Sequence, residues 1–210
     1  MPYPSGHRDR TREPIVRSAR TLFNRHGFSE VSIEDVMAHA GLTRGGFYSY
    51  FEAKSDLYAE AIMHALREPP AARWPGVHVD FAAVDAARQV IHAYLSREHF
   101  DDVDGSCPLV ALPSDVSRSD ATVKRAFETV FKGMVGLFEH SLREGDERDQ
   151  DLALAIASIC VGGMVVARSL ETRDLANALR DAAKRVALRL GGWHQPEPQK
   201  LESVKARVKA

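Results

Sequence analysis

The chain has 210 residues, 44% of them hydrophobic and 27% charged, with a formal net charge of -1. That composition fills real cores and predicts a folded soluble protein, while the balance of charge excludes a chain that binds nucleic acid through overall basicity. Two cysteines far apart, Cys107 and Cys160, suggest neither a disulfide framework nor a zinc site and fit a reducing, cytoplasmic setting.

At the N-terminus, MPYPSGHRDR carries no apolar stretch after its charges, and no window approaches 18 unbroken apolar residues, so neither a secretory leader nor a membrane span is expected. Up to Arg25 there are six arginines (Arg8, Arg10, Arg12, Arg17, Arg20, Arg25) against Asp9 and Glu13. This local excess is either a solvated helix face or part of an anion-binding footprint.

A first helix is expected from about Arg12 to His26, with Thr11 as N-cap, Pro14 in its first turn, and Ile15, Ala19, Leu22 and Phe23 on one face. Gly27 stops it. A second helix starts at Ser32, with Asp35 completing a capping box and Val31 and Val36 at staple spacing, and ends at Gly41. Thr43 is placed to cap a third helix of seven or eight residues, stapled by Leu42 and Phe47, and a fourth begins near Lys54. Proline and glycine clusters in EPPAARWPGVHVD (Glu68 to Asp80) and GGWHQPEPQ (Gly191 to Gln199) then separate a larger helical body and a tail. Strand signals are scarce, and the fold class is all-α.

Two short helices joined by Ala40-Gly41-Leu42-Thr43 make a helix-turn-helix whose second member fits a major groove. Arg44 stands at its exposed start, where a guanidinium can fork onto guanine or pair with phosphate. Gly45 and Gly46, poor helix formers, let the backbone approach a ligand closely. Tyr48 and Tyr50 carry hydroxyls suited to phosphate oxygens, Lys54 adds a cation at a helix N-terminus, and Phe47 and Phe51 belong to the core.

The run RSARTLFNRHGFSEVSIEDVMAHAGLTRGGFYSYFEAKSDLYAEAI resembles the DNA-binding region of the tetracycline-repressor (TetR) family over about 45 residues. The resemblance implies a three-helix DNA-binding head (8–54), a helical ligand-binding and dimerisation body (55–190) and a polar tail (191–210). It also implies a homodimeric repressor that binds a palindromic double-stranded DNA operator and is released by a small-molecule inducer. The family's DNA contacts fall on Ser32, Thr43, Arg44, Gly45, Tyr48, Tyr50 and Lys54; the sequence departs from the pattern at Tyr50, often histidine, and at Ala53, commonly a capping residue.

In the body, 151–170 is apolar nearly all round and must be covered by protein, and 173–190 is amphipathic, with Leu175, Leu179, Ala183, Val186 and Leu190 on one stripe. By resemblance these two helices pair with their copies in a dimer; a buried hairpin in a monomer is the alternative. Candidate ligand-pocket residues are Tyr94 and Phe100 on one middle helix, Phe127, Phe131 and Met134 on a long helix after Ser119, and Met164, each also readable as plain core. In DGSCPLVALP, Cys107 precedes a proline at a helix start, which makes it a candidate electrophile or redox sensor beside the simpler reading of a buried thiol. Cys160 reads as inert packing. No catalytic signature, phosphate loop or metal-ligand spacing is present, so no enzyme, cofactor or metal is expected, and an activator is the other regulatory possibility.

Overall fold

A computed structural model of the chain describes residues 5–68, 74, 76–142 and 147–193. The greater part of the expected tail, 194–210, lies outside the described residues, as do the side chains of Arg8 and Arg10. Among the described residues there are helices and turns and no strand, as an all-α chain requires.

The head begins with α1 (Ser5–Glu30), which starts well before Arg12, so Thr11 lies inside the helix rather than capping it, and Pro14 is an interior residue. No turn signal interrupts the stretch upstream, so one missing N–H at Pro14 does not stop the helix. Gly27 does break the helical path, at φ 79°, and a single further turn follows. This break requires glycine twice over. The left-handed backbone suits it, and a Cβ would sit 2.7 Å from an Asp115 carboxylate oxygen that accepts the Phe28 N–H at 2.9 Å.

Ile15, Val16, Ala19 and Phe23 form the buried face of α1. They pack against α2 (Ile33–His39), the 3₁₀ helix η1 (Arg44–Ser49) and α3 (Lys54–His64). Phe23 meets Tyr58 edge-on at 4.9 Å, and Phe28 stacks on Tyr58 at 4.6 Å, each buried ring contributing about 1.5–3 kcal/mol.

The body comprises α4 (Ala86–Tyr94), α5 (Arg97–Asp101), two short helices α6 (Pro108–Ala111) and α7 (Pro113–Ser117), then α8 (Ala121–Ser141), α9 (Glu147–Arg168) and α10 (Arg173–Leu190). The expectation of one middle helix carrying both Tyr94 and Phe100 is corrected. The chain breaks at Leu95 and restarts at Ser96, whose hydroxyl accepts the His99 N–H, so Phe100 belongs to α5.

Head and body share a continuous core, in which Leu57 and Ile62 of α3 lie among Leu109, Val116, Val123 and Val130 of the body. A second cluster gathers Ile91, Leu95, Phe138, Ile156, Cys160 and Met164 where α4, α8 and α9 meet. α9 packs closely on α10: a Cβ on Gly163 would lie 2.7 Å from the Ala183 Cβ. By length and hydropathy alone Asp149–Arg168 could cross a membrane, yet Ala153, Ile156, Ala157, Cys160, Met164 and Ala167 of this helix are buried inside the protein. On α10 it is Ala176, Arg180, Ala183 and Ala187 that face inward, while Leu175, Val186 and Leu190 point out.

Polar bonds fasten α1 to the loop between α5 and α6. Arg20, 6% exposed, pairs with Glu68 at 2.5 Å and donates to the Gly105 carbonyl at 2.9 Å. Asn24 donates to the Asp104 and Ser106 carbonyls, and Arg25 forks onto the Asp104 carboxylate at 2.7 and 2.6 Å. From the other side Arg168 holds the same loop, donating to Ser106 Oγ and to the His99 and Asp102 carbonyls. Replacing Arg20 by alanine strands the Gly105 carbonyl and half-exposed Glu68; a loss of about 1–3 kcal/mol is expected, read as a lowered urea midpoint with unchanged slope.

Candidate nucleic-acid interface and body cavity

The helix-turn-helix is built by three local devices. Ser32 caps α2 reciprocally, its hydroxyl accepting the Asp35 N–H at 3.1 Å while the Asp35 carboxylate accepts the Ser32 N–H at 2.8 Å. The Ser32 hydroxyl also donates to the Asp35 carboxylate at 2.6 Å, and this bond, with that from the Ser32 N–H, holds the Asp35 carboxyl below its ordinary range. At the other end Gly41, at φ 72°, closes a Schellman motif in which Leu42 N–H reaches the Met37 carbonyl (2.8 Å) and Gly41 N–H the Ala38 carbonyl (3.0 Å). Finally, Phe47, fully buried, stacks on Phe51 at 5.6 Å and nails the second helix to the head.

That second helix is tighter than expected. Arg44–Ser49 is 3₁₀ rather than α, and Thr43, though at the N-cap position, makes no side-chain capping bond. Two successive glycines without a capping side chain favour neither a long nor a regular α-helix, and the i→i+3 pattern suits a single short turn.

Its outer surface carries the expected contact residues with different degrees of freedom. Arg44 is exposed, with only a 3.8 Å approach to equally exposed Glu34, a pair of little energetic weight. Gly45 has nothing within 4 Å of where a Cβ would stand, whereas Gly46 is packed beside Met37. Of this pair, therefore, Gly45 is the one that offers bare backbone to solvent. Tyr48 is 67% exposed, while Tyr50 leans on the core and is half-buried.

Lys54 is turned inward: its ammonium donates to the Phe28 carbonyl and lies 4.1 Å from the Phe28 ring centroid, and burial pulls its pKa down. Ala53 cannot cap α3, and Asp56 compensates by accepting the Ala53 N–H at 2.9 Å. The N-terminal arginines are largely spoken for as well. Arg12 pairs with Glu60, Arg17 with Glu13, Arg20 with Glu68 and Arg25 with Asp104.

Inside the body a cavity of about 500 Å³ opens between the end of α3, α4, α6 and α8. Leu66, Val90, Leu109, Val130, Met134 and Leu137 give it apolar walls; Arg67, Glu68, Trp74, Tyr94 and Cys107 supply the polar atoms. Three of the expected pocket residues, Tyr94, Cys107 and Met134, line it, and four do not. Phe100 lies under Arg180, whose guanidinium is 4.8 Å from the ring centroid, and Met164 is fully buried between helices. Phe127 and Phe131 pack partly buried against the core.

Cys107 occupies the N-cap position of α6 with Pro108 following, but that helix is one turn long and the thiol makes no capping bond. Cys160 is buried, its thiol pushed up to about 12 by desolvation. The wall residues Leu66, Val90 and Leu137 escaped the sequence reading because an aliphatic residue facing a cavity has the same spacing as one facing core.

Residues 15–61 match the family model described as bacterial regulatory proteins, tetR family. Over 62 residues the chain is 34% identical to an uncharacterised HTH-type transcriptional regulator, YfiR, of Bacillus subtilis, covering 30% of each protein. It is 34% identical over 55 residues to the HTH-type transcriptional repressor BepR of Brucella suis, covering 26% of each. The chain thus aligns with under a third of these relatives' lengths. The fold likeness extends further: the crystal structure of a TetR-family regulator from Cytophaga hutchinsonii superposes with a TM-score of 0.63 at 20% identity, over 87% of this chain and 96% of the other. The helix-turn-helix thus lies inside the segment that matches the tetR-family model, and head and body together share the fold of that solved regulator.

Proposed function

We propose that the chain is a homodimeric repressor that binds a palindromic DNA operator and is released by a small molecule held in the body cavity. The observation that carries this reading is that the exposed turn of Arg44, Gly45 and Tyr48 and the 500 Å³ cavity are attached to one continuous core. A change of shape at the cavity has no soft joint in which to dissipate before it reaches the head. In this reading Arg44 contacts a base edge, Gly45 lets backbone approach the duplex, and Ser32, Thr43, Tyr48 and Tyr50 bond phosphates. Lys54 acts mainly by holding the start of α3 against Phe28.

Two heads read two half-sites, so a dimer is needed, and α9 and α10 supply a face for it. Leu154, Val166, Leu175, Val186 and Leu190 are all exposed there, and Ala155, Ser158 and Gly162 between them allow close approach. A ligand that favours the body shape with the wrong head spacing releases the operator, by no more than its preference for that shape.

A second reading has a specific observation behind it. Cys107, partly exposed, is one of the residues lining the cavity, which puts it within reach of an electrophile that enters there.

Arg44→Ala is expected to weaken operator binding by about 1–3 kcal/mol and relax specificity at one base position, whereas Tyr48→Phe weakens operator and random DNA alike by about 1 kcal/mol. Fluorescence anisotropy on both duplexes checks the difference, and equal losses for Arg44→Ala remove it from base reading. Leu175→Glu combined with Val186→Glu is expected to give a monomer in sedimentation velocity, with weakened operator binding; an intact dimer refutes the assigned face. N-ethylmaleimide releasing the operator equally from the native protein and from Cys107→Ser eliminates the thiol reading.

A further inference from the structure

The body cavity is one of two spaces that meet beneath the connection leading into α4. Beside the 500 Å³ cavity, a second chamber of about 1400 Å³ lies between that connection, the end of α8, the start of α9 and residues 191–193. Phe81, Gly133 and Leu137 line both. Gly133 and Leu137 stand one turn apart on α8, while Phe81, 57% exposed, comes from the connection. That connection is tied to α4, for the Asp80 N–H donates to Gln89 Oε1 at 2.8 Å and Gln89 Nε2 donates to the Asp85 carboxylate at 2.7 Å. Of the three shared residues Gly133 contributes no side chain, so the boundary there is open backbone flanked by the Phe81 ring and Leu137.

The two walls differ in chemistry. In the inner cavity Leu66, Val90, Leu109, Val130 and Met134 are apolar, and polar side chains are already engaged: Glu68 pairs with Arg20 at 2.5 Å, Trp74 Nε1 donates to the Asp102 carboxylate at 2.8 Å, and the Tyr94 hydroxyl is buried beside Cys107. The outer chamber carries Asp85, Arg88, His140, Ser141 and Asp149, with Arg88 and Asp85 3.7 Å apart, so it presents donors, acceptors and charge of both signs.

Resting on the reading of the body cavity as the effector site, we infer that the ligand spans both spaces: an amphipathic molecule whose apolar tail fills the inner cavity and whose uncharged polar head lies past Gly133 and Phe81 in the outer chamber. An apolar tail gains by leaving water for the inner cavity, whose volume is in the range of small-molecule sites. A polar group carried in with it loses its hydration and meets side chains that already have partners, whereas in the outer chamber it keeps water and meets Asp85 and Arg88. A charge on the head gains little there, because those two side chains already face each other.

Isothermal titration calorimetry on the full-length protein tests this with toluene, 1-octanol, octane-1,8-diol and octyl β-D-glucoside, each below the concentration at which it aggregates. The glucoside is expected to bind within about threefold of octanol, its sugar lying in the outer chamber, and the diol about tenfold more weakly than octanol, its second hydroxyl being carried into the inner cavity. Gly133→Leu puts a side chain on the boundary. A Cβ there stands 3.7 Å from the Leu66 side chain, an ordinary contact, and leucine favours a helix more than glycine does, so the melting temperature is expected to hold. The variant weakens the glucoside about tenfold and toluene, which the inner cavity holds alone, by less than about twofold. Phe81→Trp, at an exposed position on the same boundary, makes the same comparison if Gly133→Leu melts early.

Toluene binding without the glucoside, a glucoside more than about tenfold weaker than octanol, a diol as tight as octanol, or equal changes for toluene and glucoside in the boundary variant overturns the spanning ligand and leaves the effector cavity standing. If none of the four probes binds the folded protein, the cavity reading itself falls and the inference with it.

Discussion

The architecture depends on one buried guanidinium. Arg20 leaves the middle of α1, crosses to Glu68 beyond the end of α3 and reaches the Gly105 carbonyl in the body, so three segments distant in sequence converge on a single planar group. Arginine suits this place because its fork can serve a carboxylate and a carbonyl at once, which a lysine ammonium does with less directional control. Around it Asn24 and Arg25 repeat the attachment one turn further along α1, and Asp115 fixes the break at Gly27. A helix held at so many points along its length cannot rotate independently of what holds it.

That attachment changes what the word head means for this chain. The family match covers 15–61, but the apolar cluster that stabilises those residues continues into α6, α7 and α8 without a gap. The loop at 104–106 lies between two sets of donors, those of α1 on one side and Arg168 at the end of α9 on the other. It is followed directly by Cys107 on the cavity wall. Cavity, loop and α1 are therefore successive links in one chain of short polar contacts, which is the kind of connection a regulatory transition can act through.

How much of this was legible beforehand depended on how local the cause was. The Ser32 and Asp35 cap, the stop at Gly41 and the burial of Phe47 and Phe51 follow from side chains a few residues apart, and each is found as expected. Pro14 reads as a first-turn residue and so puts the start of α1 too late, and the capping pattern before Arg44–Ser49 is the same for an α-helix as for a 3₁₀ turn. The arginine count near the N-terminus suggests free positive charge, but Arg17 pairs with Glu13 one turn away on the same helix, and Arg12, Arg20 and Arg25 face carboxylates brought from elsewhere by the fold. Sequence spacing contains no record of such partners. For the same reason Lys54 looked available, whereas its ammonium is satisfied by Phe28, 26 residues away.

The face of α10 has a consequence for the newly made chain in solution. Alanines turned inward and leucine and valine turned outward mean that a newly made molecule displays a greasy stripe to the surrounding solution. A molecule with such a stripe is colloidally sticky until something covers it. Overproduction multiplies unproductive encounters between such stripes, which makes the yield of this protein sensitive to how fast it is synthesised.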